Sequence, residues 1–225
     1  MTIDKLINDL SSEGARRPLP GPMRQTLLWG APTFGYFIVF GLFLGLRPDI
    51  GTKFAEPSYI AELVFLLGIT LSAAVATCCL SRPDSHQKPW IKYIPLALLI
   101  PWGITAFANA SGEFSIADLM HTARLGRYDC PLYIALFSLP PGIALFFIAR
   151  TGATIRCCWA GSMATFAVTA MAYLMMRCVE PNDNIAHLFI WHVMPIMLFC
   201  IAGMVIGHFS LKWRGPEHCR WNQEP

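Results

Sequence analysis

Eight cysteines and six histidines stand among 225 residues. Their side chains offer thiol oxidation, disulfide formation and the binding of soft or borderline metal ions. Two pairs are adjacent, Cys78-Cys79 and Cys157-Cys158, while Cys130 follows Asp129, Cys178 follows Arg177, and His187 and His192 come shortly after. No two cysteines have the C-x-x-C spacing of a disulfide-exchange motif, which makes a disulfide-transfer enzyme the weakest reading. Which thiols can act together depends on the elements that carry them.

Those elements are written in the distribution of charge. Hydrophobic residues make up 55% of the chain and charged ones 14%, with a mean hydropathy of +0.48. A soluble globular domain carries about 25% charged residues. A disordered chain and a polar nucleic-acid-binding domain are thereby excluded. Asp, Glu, Lys and Arg are missing from Gln25–Leu46, Leu63–Ser81, Tyr93–Gly112, Cys130–Ala149, Cys157–Met176 and Asn184–Leu211. Each stretch reaches the ~20 residues that cross a hydrocarbon layer as a helix, the form in which a chain in lipid satisfies its own backbone. The expected fold is an all-α bundle of six transmembrane helices, with spans near 27–46, 60–81, 93–111, 130–149, 157–177 and 186–210. A segment 1–26 precedes the 27–211 membrane domain and a tail 212–225 follows it.

Twelve of the seventeen Lys and Arg residues fall in the N-terminal segment, the second and fourth loops and the tail. The positive-inside rule then places both termini in the cytoplasm. The first span reads as a retained anchor rather than a cleaved leader, because Gly45-Leu46-Arg47 offers no small-residue cleavage site. In the longest outer loop, Glu113 to Asp129, Ile116, Leu119, Met120 and Ala123 keep helical spacing. An interfacial helix and a simple linker both fit it.

This topology sorts the thiols. Cys78, Cys79, Cys157, Cys158 and Cys219 lie on the cytoplasmic side and Cys200 inside the last span, where reduced, inert cysteines are expected. Cys130 and Cys178 reach the outer boundary at the open end of a hairpin formed by the fourth and fifth spans. Counted from the connecting loop, they differ in height by roughly 3 Å. Arg127 and Arg177 can lower a neighbouring thiol pKa, Asp129 can raise one, and His121, His187 and His192 can supply nitrogen ligands. A static disulfide, a redox- or metal-responsive switch and a pair of inert cysteines all fit.

No acidic or basic residue lies deep within a span, which counts against an ion-coupled transporter. His192 is the imidazole well inside one. Gly41-x-x-x-Gly45 and Gly203-x-x-x-Gly207 are patterns for close helix packing or a homodimer face. Pro95, Pro101, Pro140, Pro141 and Pro195 are expected to bend their spans. At the N-terminus, Ile3, Leu6, Ile7 and Leu10 form an apolar stripe on a short amphipathic helix. It suits the membrane surface or the groove of a partner.

Ile3-Asp4-Lys5-Leu6-Ile7-Asn8-Asp9-Leu10 with Arg17-Pro18-Leu19-Pro20 resembles the opening of the NrsF family of bacterial inner-membrane anti-sigma factors. Gly45-Leu46-Arg47-Pro48-Asp49, Phe54-Ala55-Glu56-Pro57 with Glu62, Asp129-Cys130-Pro131, Ser138-Leu139-Pro140-Pro141, and Cys178 with Glu180 and Trp191 extend the resemblance along the chain. It implies a non-enzymatic regulator that sequesters an extracytoplasmic-function sigma factor through residues 1–26, where the apolar stripe of Ile3, Leu6, Ile7 and Leu10 is the expected contact. It also implies that Cys130 and Cys178 sense oxidants or heavy metals. No catalytic residue, cofactor or direct nucleic-acid contact is expected; lipid is expected around the bundle. No metal site is assigned, the residues closest to one being Cys130, Cys178, His187 and His192. The competing readings are a small metal or solute transporter and a membrane thiol oxidoreductase.

Overall fold

Pro22 and Pro57 each open a long helix, where the fixed φ of proline is pre-organised and its missing N–H would have gone unbonded in any case. The computed structural model describes residues 3–5, 7–8, 20–110, 115–124, 128–152 and 154–211. In chain order the elements are α1 (Pro22–Leu44), α2 (Ile50–Lys53), α3 (Pro57–Leu80), two 3-10 turns (Pro83–Gln87 and Pro89–Lys92), α4 (Tyr93–Ala97) and α5 (Leu99–Asn109). They continue with α6 (Ile116–Arg124), α7 (Asp129–Arg150), α8 (Cys157–Val179), α9 (Ile185–Leu188), a π-helical turn (Phe189–Val193) and α10 (Met194–Ser210). The described residues contain six helical stretches long and apolar enough to cross a membrane: Pro22–Leu44, Pro57–Leu80, Pro89–Asn109, Asp129–Arg150, Cys157–Val179 and Ile185–Ser210.

The fifth of these, α8, is the centre. Within the bundle 78% of its most apolar stretch is buried, against 11–56% for the others, and α10, α3, α7 and α1 all pack on it. Its small residues Ala160, Ala164, Ala167, Ala170 and Ala172 let neighbours approach closely. The closest approach is to α10. A Cβ built on Gly161 would lie 2.1 Å from the Gly203 carbonyl oxygen and 2.8 Å from Gly207 Cα. Gly203 and Gly207 therefore form the close helix contact their spacing predicts. A Cβ built on Gly41 would lie 3.3 Å from Met175 Cγ on α8, closer than ordinary packing, whereas Gly45 ends α1 at φ +90°, its N–H bonding Leu42 O. In the Gly41-x-x-x-Gly45 pattern Gly41 thus serves the close approach to α8, and Gly45 serves the turn.

The prolines act unequally. Pro140 and Pro141 lie inside a continuous α7, and the Trp29 indole N–H donates to Pro141 O at 2.9 Å. Pro101 has no N–H to offer Ala97 O, and the third span is divided at Leu98. Upstream of Pro195 the last span passes through the π-helical turn, which carries Trp191 and His192. The 116–124 segment is helical and packs on α9 and the π-helical turn.

At the N-terminus, residues 3–5 and 7–8 are helical, with Ile3 and Ile7 exposed. Leu6, Leu10, Arg127, Cys219 and the tail 212–225 lie outside the described residues.

Candidate metal and thiol site

Two polar clusters occupy the end of the bundle where α1 finishes, α3 and α7 begin and α8 turns into α9. The turn itself is organised by asparagines. The Asn182 side chain accepts from the Asn184 N–H, and Asn184 Oδ1 caps α9 by accepting from the N–H groups of Ala186 (2.9 Å) and His187 (3.2 Å). Along this segment Arg177 and Asp183 serve one cluster, Glu180 and His187 the other.

The first cluster is a network of ions. Arg47, 1% exposed, donates to both Asp49 oxygens at 2.7 and 2.8 Å and to both Asp183 oxygens at 3.1 and 2.9 Å. Arg177 holds Glu62 in a two-pronged pair at 2.8 and 3.0 Å and reaches Asp183 Oδ1 at 2.7 Å. The Asn109 amide also donates to Glu62. Both guanidiniums lie over the Tyr59 ring, whose hydroxyl donates to Arg177 O. Burial alone would raise the Asp183 pKa, but hydrogen bonds and charge from Arg47 and Arg177 outweigh it and hold the carboxyl down at about 2. Cys178 borders this network: its thiol faces Tyr59 and its carbonyl accepts the Arg47 N–H at 3.0 Å.

The second cluster is smaller and chemically mixed. Cys130 on α7, His187 on α9, His192 in the π-helical turn and Glu180 on the connecting turn bring one sulfur, two imidazoles and a carboxylate within 4.8 Å of one another. The Cys130 thiol donates to Glu180 Oε2 at 2.6 Å and lies 3.8 Å from His187 Nε2. His187 Nε2 stands 3.2 Å from Glu180 Oε1, and His192 Nε2 3.7 Å from Glu180 Oε2. Burial pushes Glu180 upward, but the contacts from His187, His192 and Cys130 reverse that and keep it well below the usual carboxylate range. Among the described residues neither ring nitrogen of His192 has a hydrogen-bond partner, although the residue is 1% exposed. A polar cavity of about 350 Å3, lined by Asp118, His121, Thr122, Asn182, Asn184, His187 and Trp191, adjoins the cluster.

Cys130 and Cys178 therefore lie at the same end of the α7–α8 hairpin and are both thiols, each facing a different cluster. Of the four residues nearest to a metal site by sequence, Cys130, His187 and His192 come together. Cys178 does not join them, and Glu180 takes its place. Glu180 was legible as a residue two positions past Cys178 before the chain reverses at Pro181, but a carboxylate outside a span gave no sign of facing inward. Arg177, expected beside a thiol, is committed to carboxylates. Among the cysteines expected to be inert, Cys78, Cys79 and Cys200 are thiols, whereas Cys157 is disulfide-bonded.

Residues 10–213 match the family model described as "Negative regulator of sigma F", NrsF. The chain is 24% identical over 224 residues to a probable anti-sigma-F factor of Azospira oryzae, and 24% identical over 221 residues to an anti-sigma-F factor of Caulobacter vibrioides. Each alignment covers 95% of this chain and all of the relative. No solved structure matches.

Proposed function

The chain belongs to the NrsF family of negative regulators of sigma F, and from that premise we propose a multi-pass inner-membrane anti-sigma factor with both termini in the cytoplasm. It retains an extracytoplasmic-function sigma factor at the membrane and releases it when an oxidant or heavy metal acts on Cys130 and Cys178. The observation that carries the regulatory part is the family match along nearly the whole chain, together with six helices suited to span a membrane.

The sigma contact is assigned to the N-terminal helix through Ile3, Leu6, Ile7 and Leu10. A helix this short is marginal alone in water and gains stability by docking its apolar face. Exposed Ile3 and Ile7 are in keeping with that role. Sensing is assigned to Cys130 and Cys178 because two thiols top one helical hairpin and each abuts a polar cluster fed by the same 177–187 segment. A reaction at either sulfur alters that segment. It lowers sigma affinity only to the extent that the reacted state binds sigma less well.

A mild-detergent pull-down of the intact chain against one lacking residues 2–20 tests the first assignment. A sigma factor captured by the intact form alone supports it; equal capture by both overturns the contact, and capture by neither overturns the anti-sigma reading. Sensing is tested with Cys130→Ser and Cys178→Ser in a sigma-dependent reporter. Retained repression with a blunted response is expected, and an undiminished response in both variants refutes it.

A further inference from the structure

We propose that Cys130, Glu180, His187 and His192 form a four-ligand site for Zn2+, also open to Cd2+, that does not use Cys178. Zinc binds thiolate at about 2.3 Å, imidazole at about 2.0–2.1 Å and carboxylate at about 2.0–2.2 Å. Tetrahedral geometry then sets neighbouring ligand atoms about 3.3–3.8 Å apart. The observed separations are 3.8 Å for sulfur to His187, 3.2 Å for His187 to Glu180 and 3.7 Å for His192 to Glu180. The Cys130–Glu180 contact must open by roughly 1 Å to admit an ion of these bond lengths.

The donor set selects the metal. One sulfur and two nitrogens suit zinc-like cations, and a single carboxylate is too little for magnesium or calcium. The second and independent mark of a ligand site is His192. Its ring is buried and faces Glu180, and among the described residues neither nitrogen has a hydrogen-bond partner. An orphaned buried polar group is costly, and a metal bond satisfies one of the two ring nitrogens. A cation also offsets a carboxylate whose ion partners among the described residues are those two imidazoles. The polar cavity lined by His121, Asp118 and His187 provides an approach. On binding, the Cys130 thiol proton leaves to solvent and the thiolate ligates. The site stands on this geometry and does not depend on the sigma-factor assignment.

The test uses the full chain in detergent micelles, stripped with chelator and titrated with Zn2+, with Cd2+ as a spectroscopic probe. One ion per chain and a thiolate-to-cadmium charge-transfer band are expected. Cys130→Ser and His192→Gln each weaken binding by at least about 100-fold, while Cys178→Ser leaves affinity within a few-fold. Metal-edge absorption on the unmodified, zinc-loaded chain needs no variant and is expected to fit one sulfur with nitrogen and oxygen neighbours. Two sulfurs at the metal, loss of binding in Cys178→Ser, or no stoichiometric binding overturns the proposal.

Discussion

Replacing Arg177 with methionine is expected to be among the most damaging single changes in the bundle, and more damaging than Glu62→Leu. Arg177 and Glu62 are 1% and 0% exposed and bonded through two contacts. Removing the arginine leaves the Glu62 carboxylate buried with the Asn109 amide as its one remaining partner among the described residues, and breaking a buried pair from one side costs about 3–5 kcal/mol. Removing the glutamate leaves Arg177 with Asp183 Oδ1 at 2.7 Å and the Tyr59 ring beneath it. The loss is then about 1–3 kcal/mol, the scale of orphaned hydrogen-bonding groups. The double variant Glu62→Leu/Arg177→Met removes both charges and is expected to recover about 2 kcal/mol relative to Arg177→Met alone. Unfolding by a denaturing detergent, followed by circular dichroism in mixed micelles, measures all four proteins. Strictly additive losses, or Glu62→Leu as damaging as Arg177→Met, would refute the reasoning.

Gly161→Ala places a methyl 2.1 Å from Gly203 O, and the forced separation of α8 and α10 is expected to cost about 1–3 kcal/mol or more in the same unfolding assay. Asp183 is held at about 2, below the ordinary carboxylate value near 3.8, so its contribution is fully present above about pH 5 and is lost as pH falls through about 2. Asp183→Asn is expected to cost about 2 kcal/mol at pH 7 and to flatten the acid limb of a stability-against-pH curve. Trp29→Phe removes the donor to Pro141 O and is expected to cost about 1 kcal/mol, with the far-ultraviolet spectrum unchanged.

The six spans were legible because lipid leaves the backbone few choices, so a charge-free run of suitable length already declares a helix. The first span begins earlier than its charge-free run, at Pro22, since a proline opens a helix irrespective of the charge of Arg24 beside it. Matching heights brought Cys130 and Cys178 to one end of the bundle. Height along a helix follows from residue count, but rotation about its axis depends on packing, and rotation is what turns the two sulfurs toward different clusters. The π-helical turn at Phe189–Val193 is a further case. Pro195 marked a disturbance, yet which carbonyl would skip its partner, and where His192 would then face, depended on Glu180 and Tyr173 across the bundle. The Glu62–Arg177 pair was hidden because each residue sat at the edge of a span and read as a boundary marker.

The backbone-to-backbone contact of Gly161 with Gly203 and Gly207 has a mechanical consequence. Two helices touching through side chains can slide by letting rotamers yield, but two touching at Cα and carbonyl atoms have no such slack. At this crossing helices α8 and α10 are therefore locked in register, and neither can slide along the other without breaking the contact.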